Sequence, residues 1–254
     1  MSNTQLTIHI SRTSVHVAEV LHSNQEIIRQ DDFELLESTP EGYKKRLKEV
    51  FDNMNLRDDY VEYTMAWGTQ LQTLVPLSVF NESSAKSVFQ LMFGEDTDEK
   101  TIDFNRLMEL SMVSVFEIPD WVKSFFIMRF PQIIFKHEHA MTLRALFQRN
   151  TFKRKIVVSF SDEYVNISLI NKNELGFSNS FDFQTEEDIL YHLLFVLEQQ
   201  KLTDEEGEIN FLYVDEKTRL KAEETKKLFE ALKATKMIKV NTIDSVLKLQ
   251  TLCV

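Results

Sequence analysis

The chain has 254 residues, a formal net charge of −11, 43% hydrophobic and 27% charged residues; this near-average balance excludes a disordered or collagen-like chain. It is long enough to bury a sizeable core without metals, and its single cysteine, Cys253, excludes an internal disulfide. The acidic balance, with no run of Lys or Arg interleaved with aromatics, leaves no electrostatic footprint for nucleic acid and disfavours anionic membranes.

Residues Met1 to Ile10 lack a basic region followed by an apolar stretch, and no later segment reaches the apolar length of a membrane span. A cytoplasmic protein without membrane insertion is therefore expected. Leu6, Ile8 and Ile10 alternate with polar residues, and Val15 and Val17 follow Ser11-Arg12-Thr13-Ser14, a pattern that predicts a β-hairpin. A third strand is predicted over Glu26 to Leu35. Thr39-Pro40 then opens a helix whose buried stripe is Tyr43, Leu47, Val50, Phe51 and Met54, with Pro40 where its missing donor does no harm. Val61-Tyr63-Met65 reads as a strand and Ser83 to Phe93 as a helix.

Residues Thr101 to Asn150 supply a strand at Met112 to Ile118, a helix at Asp120 to Phe130, an edge strand at Gln132 to Phe135 and a helix at His139 to Gln148. The second half then repeats the order of the first. Ile156, Val158 and Phe160 form a strand, Val165, Ile167 and Leu169 another, and Leu175 to Phe183 a third. Thr185 caps a helix, Ile209-Phe211-Tyr213 is a strand, and Thr218 to Ala234 is a helix. Leu6, Ile8, Val15, Val17 and Phe33 match Ile156, Val158, Val165, Ile167 and Phe183 at one offset, so an internal duplication is expected. Asp244 to Leu252 reads as a short helix that crosses back to the first half.

Two copies of three antiparallel strands, a helix, a strand and a helix resemble the actin-like ATPase, or ribonuclease H-like, fold. More closely, the chain is similar to an uncharacterised bacterial family with that fold and no assigned activity. The resemblance implies an α/β protein of two lobes, residues 1–150 and 151–254, each with a mixed five-stranded sheet and flanking helices, the C-terminal helix returning to lobe one. Active members carry an Asp-x-Gly-x-Gly type loop in the first turn of each half, where Asp organises metal or water and glycines let backbone N–H groups approach phosphate. Here those loops read His9-Ile10-Ser11-Arg12-Thr13 and Ser159-Phe160-Ser161-Asp162-Glu163. Both Asp positions and all four Gly positions are lost. The Gly-Gly turn expected around the adenosine is replaced by Val214-Asp215-Glu216-Lys217, and the chain holds only five glycines.

These departures point to a non-catalytic actin-like protein, a pseudo-ATPase acting through contacts with an unidentified protein partner; some relatives of this fold serve as cytoplasmic platforms for envelope machines. The alternative is a divergent nucleotide-binding protein, ATPase or kinase using the cleft between lobes. In it ATP with Mg would be met by Ser11, Arg12, Thr13, Ser14, Ser159 and Ser161. A third reading places another small molecule in that cleft. His137-Glu138-His139 would put two imidazoles on one strand face without an evident third ligand, but the segment leads into a helix, where these residues would serve as surface or capping groups. The acidic groups Asp96, Asp98, Glu99 and Asp204, Glu205, Glu206, Glu208 lack calcium-loop spacing. No serine lies in a Gly-x-Ser-x-Gly elbow. The apolar run Trp121 to Phe130 reads as a fully buried helix or, failing that, as a partner-binding surface.

Overall fold

A computed structural model of the chain describes residues 3–94, 98, 101–147, 154–171, 174–202, 205–232 and 237–252. Cys253, Asp96, Glu99 and Asp204 lie outside the described residues. The chain divides into two compact units, Met1–Ala145 together with Leu247–Val254, and Leu146–Val246.

In chain order the first unit runs β1 (Thr4–Ile10), β2 (Ser14–Leu21), β3 (Ile27–Glu34), α1 (Pro40–Asn53), β4 (Glu62–Trp67), β5 (Gln72–Pro76), α2 (Ala85–Phe93), β6 (Ile102–Leu107), β7 (Met112–Glu117), α3 (Asp120–Arg129), β8 (Ile134–His137) and α4 (Glu138–Phe147). Then follow β9 (Arg154–Phe160), β10 (Tyr164–Asn171), β11 (Glu174–Asp182), α5 (Glu186–Gln199), β12 (Gly207–Tyr213), α6 (Glu216–Ala231), β13 (Ile238–Ser245) and α7 (Val246–Leu249).

The first unit is built on a five-stranded sheet of order β3-β2-β1-β4-β8, the second on one of order β11-β10-β9-β12-β13. In each, three antiparallel strands are followed by two that run parallel to the first strand of the unit. The fold is thus α/β with two mixed five-stranded sheets and flanking helices.

Local chemistry accounts for the helix starts. Thr39 accepts the Gly42 N–H and places Pro40 in the first turn of α1. Thr185 and Asp188 form a reciprocal capping box on α5, and Asp215 and Thr218 form another on α6. One face of β1 and β2 delivers Leu6, Ile8, Ile10, Val15 and Val17 to a core completed by Leu47, Val50 and Phe51 of α1 and by Trp121, Val122 and Phe126 of α3. Ile156, Val158, Val165, Ile167, Phe211 and the α5 residues Ile189, Leu193 and Val196 do the same in the second unit.

The polar alternates of β1 are buried as deeply as the apolar ones. Gln5, Thr7 and His9 are at most 3% exposed. The chain returning after β13 covers part of this face. Leu247 packs on Ala18 and Val20, and Gln250 accepts from Thr64 Oγ1 (2.8 Å) while its Nε2 donates to the Ile8 carbonyl (3.0 Å). Gln5 Nε2 closes the network by donating to Thr64 Oγ1 at 3.0 Å. Such partners matter because an unpaired buried polar group costs about 1–3 kcal/mol; in this network Gln5 Oε1 is left without one.

Sequence periodicity does not disclose β5 and β6, which flank β7 in a separate antiparallel sheet of order β5-β7-β6. That sheet and α2 enclose a small core of Ala85, Phe89, Val113 and Val115. Nor is α3 fully buried: Trp121, Val122 and Phe126 face the core, whereas Ile127 is 51% and Met128 82% exposed. A helix packed against one layer has one covered face, so an apolar residue on the other stays in water. Among the described residues no helix is long and apolar enough to cross a membrane.

Candidate functional site

The turn from β1 to β2 and the polar face below it bring most of the first unit's chemistry-bearing side chains together. Strand register does the assembly. His9 lies directly opposite His16, and His16 directly opposite Asp32, so the three form one row across β1, β2 and β3. Their ring and carboxylate positions follow: the His9 and His16 ring centroids are 5.8 Å apart, and His16 Nδ1 lies 2.8 Å from Asp32 Oδ1.

At the other end of the row Glu138, the first residue of α4, places Oε2 2.6 Å from His9 Nε2. Both groups are buried, at 3% and 5% exposure. Gly68 makes this pairing possible. A Cβ there would stand 3.0 Å from His9 Cε1 and 3.1 Å from Glu138 Oε2, so any side chain would press on both partners. His9 Nδ1, also buried, has no hydrogen-bond partner.

Above the row, His16 Nε2 is 2.9 Å from Ser14 Oγ, which is 3.1 Å from Ser11 Oγ. Ser11 Oγ also accepts the backbone N–H groups of Thr13 and Ser14, each at 3.1 Å. The amides that a glycine-rich loop would offer to phosphate thus converge on a hydroxyl of the turn itself. Arg12 projects outward, 63% exposed, with Glu117 Oε2 3.5 Å away, and its carbonyl accepts from Tyr43 Oη at 3.0 Å.

The corresponding turn of the second unit holds Ser159 and Ser161. Ser159 is buried at the end of β9, and the Ser161 N–H donates to the Tyr164 carbonyl at 3.0 Å. Asp162 gathers two cations there. Lys217 Nζ approaches its carboxylate at 2.8 Å and Lys221 Nζ donates to its carbonyl at 2.9 Å. Of the six sequence candidates, Ser11, Arg12, Thr13 and Ser14 share the first turn, whereas Ser159 and Ser161 belong to the second.

His137 and His139 do not share a strand face, because the strand ends at His137 and α4 begins at Glu138. His137 Nε2 donates to the Thr69 carbonyl at 3.0 Å, and its Nδ1 accepts the His139 backbone N–H at 3.2 Å. Burial pushes the His137 imidazolium down to about 4 and that of His139 to about 3, so both rings are neutral near pH 7. Among the described residues no group of three or more His, Cys, Asp or Glu is disposed to hold a metal ion.

Sequence reading missed the Ser14–His16–Asp32 connection. A visible signal existed: Ser14 and His16 are two apart on a strand and so share a face. What periodicity lacks is the hairpin register that selects Asp32 rather than Asp31 as the partner.

A family model covering residues 1–232 matches this sequence. The chain belongs to DUF3822, a protein family of unknown function. No curated protein sequence matches it. Among solved structures, this DUF3822 chain is similar to a Bacteroides thetaiotaomicron VPI-5482 protein with actin-like ATPase fold and unknown function, at 19% identity and TM-score 0.74, covering 99% of this chain and 95% of that one. It is also similar to a PilM-PilN type IV pilus biogenesis complex, at 12% identity and TM-score 0.58, covering 94% and 87%. The ethanolamine utilization protein EutJ from Carboxydothermus hydrogenoformans follows at 8% identity and TM-score 0.52, covering 98% and 86%. Identities this low speak to the fold alone, and the fold they share is the actin-like ATPase fold.

Proposed function

We propose that this DUF3822 protein acts through protein–protein contacts rather than by turning over ATP, and that a groove between α1 and α3 receives an acidic, apolar segment of its partner. The groove carries this reading. It encloses about 430 Å³ and is lined by Lys44, Lys48, Ser124, Phe125, Met128 and Arg129. Its floor offers the exposed Met128 beside Phe125, while Lys44 and Lys48 stand exposed on α1. A cationic rim on a chain of net charge −11 selects an anionic occupant, and apolar floor area supplies binding energy of roughly 25 cal/mol per Å² covered. The PilM-PilN structure is itself a complex within the shared fold, which is analogy only.

Peptide display against the purified protein tests the proposal. Sequences combining Asp or Glu with Leu, Ile or Phe should be enriched, and the paired variant Lys44→Glu/Lys48→Glu should lose them by tenfold or more. Enrichment of unrelated sequences, or indifference to the charge reversal, would sink the groove as the docking site.

Nucleotide binding is the second reading, favoured by one observation: Lys217 and Lys221 bring positive charge to the turn that holds Ser159 and Ser161. Against it stand Asp162, which engages both lysines, and Ser11, which occupies the first turn's amides. Thermal denaturation with Mg·ATP and Mg·ADP discriminates. Ligand at about 100 times its dissociation constant would stabilise by roughly 2.7 kcal/mol; the expected result is no saturable shift up to millimolar nucleotide, and a saturable one would promote this reading over the first.

A further inference from the structure

The face of the first sheet opposite α1 and α3 holds a hydrogen-bonded sequence of groups that the contact function does not use. Asp32 Oδ1 meets His16 Nδ1 at 2.8 Å, and His16 Nε2 meets Ser14 Oγ at 2.9 Å. We propose that Ser14 is a nucleophile toward small acyl esters, with His16 as its general base, Asp32 as a positioning residue, and the Thr13 and Ser14 backbone N–H groups as donors to the oxyanion.

Three observations support the assignment. First, the order of atoms is the productive one. A carboxylate on Nδ1 fixes the tautomer that leaves the Nε2 lone pair facing the serine hydroxyl, and both separations fall within the reach of about 2.6–3.2 Å that proton transfer needs. Burial alone would raise the Asp32 carboxyl, but hydrogen bonds from His16 and Gln30 outweigh it and hold the group below its ordinary value, so it stays ionised against the ring. Secondly, the row is held rigidly by strand register rather than by a loop: Ser14 and His16 share one face of β2, and His16 is the direct cross-strand partner of Asp32. His16 is 4% and Ser14 8% exposed, so the hydrogen-bonded pair is packed within the sheet face rather than held on the surface.

Thirdly, the oxyanion position already has an oxygen in it. Ser11 Oγ accepts two converging N–H groups at 3.1 Å and lies 3.1 Å from Ser14 Oγ. A substrate carbonyl oxygen replacing that hydroxyl would have the same two donors and would bring its carbon beside Ser14 Oγ. Thr13 is exposed and Ser11 partly so, which leaves this end of the row open to a ligand. The Ser11 hydroxyl therefore acts as an internal competitor for its own oxyanion site.

The reaction follows from these positions. Ser14 Oγ attacks the acyl carbon as its proton passes to His16 Nε2. The bond from that carbon to the alcohol oxygen breaks, and His16 returns the proton to the departing alcohol. Water, deprotonated by the same ring, then attacks the acyl-serine and releases the acid, restoring Ser14. One ester and one water give one acid and one alcohol.

The test uses the full chain with a fluorophosphonate probe, whose fluoride leaves as Ser14 Oγ bonds to phosphorus, and with p-nitrophenyl acetate as substrate. Mass spectrometry should place the phosphonate on Ser14. Ser14→Ala and, separately, His16→Gln should cut labelling and esterase rate by a hundredfold or more while melting normally. Ser11→Gly, which frees the two N–H groups, should raise both several-fold. Asp32→Asn should lower kcat with KM unchanged, a split that a merely structural carboxylate would not give. Absence of labelling in both the native chain and Ser11→Gly overturns the proposal; so does label on another residue, or reactivity that survives His16→Gln.

Discussion

Lowering the pH from about 7.5 to about 5 is expected to destabilise the first unit by on the order of 2–4 kcal/mol through His137 and His139 alone. Both rings are neutral and buried, with folded values of about 4 and about 3 against an ordinary 6.5. The dominant cause is burial, which penalises the charged form; for His139 the neighbouring His137 adds to it, while Glu138 opposes in both cases. The sign follows from proton counts. Above pH 6.5 neither folded nor unfolded rings bind protons, and their contribution is fully present. As the pH falls below 6.5 the unfolded rings protonate first, so stability is lost until the folded rings titrate near 4 and 3. Each group can contribute a slope approaching about 1.4 kcal/mol per pH unit. Urea midpoints measured across this range check it, and His137→Gln should remove about half of the His-dependent slope. An unchanged slope in that variant would show that acid sensitivity arises elsewhere.

Phe51→Ala is expected to cost about 3–5 kcal/mol. Phe51 is 1% exposed and sits where α1 meets α3, with the rings of Phe125, Phe126 and Phe130 at 5.9, 5.6 and 5.7 Å and the Arg129 guanidinium 5.8 Å from its centroid. Truncation removes transfer energy and leaves a cavity that two helices anchored to a sheet cannot close. A fall in urea midpoint at constant m-value checks it; a loss under about 1 kcal/mol would mean that α3 collapses onto α1. Because Phe125, Met128 and Arg129 also line the groove, the same variant should weaken any peptide selected there.

The two hairpins, the Pro40 start of α1 and the Thr185 cap of α5 were legible in the sequence because each rests on neighbours within a few residues. So was the loss of the glycine-rich phosphate loops, since a missing residue type is visible without coordinates. The small sheet was not: β5 and β6 are short and carry no clear alternation, and β5 finds its partner β7 only across the intervening α2 and β6. The His137-Glu138-His139 triplet read either as two imidazoles on a strand face or as surface and capping groups at a helix start; only the structure places the boundary, with β8 ending at His137 and α4 beginning at Glu138.

The sequence by itself determined the α/β class, the position of the main strands and helices and the absence of an Asp-Gly-Gly phosphate turn, all of which depend on local pattern and composition. Only the tertiary structure decided that the polar face of β1 is buried, that His9 pairs with Glu138, and that Ser14, His16 and Asp32 align. Those outcomes depend on strand register and on contacts as distant as Gln250 with the Ile8 carbonyl; a polar side chain carries no local mark of which remote partner will satisfy it.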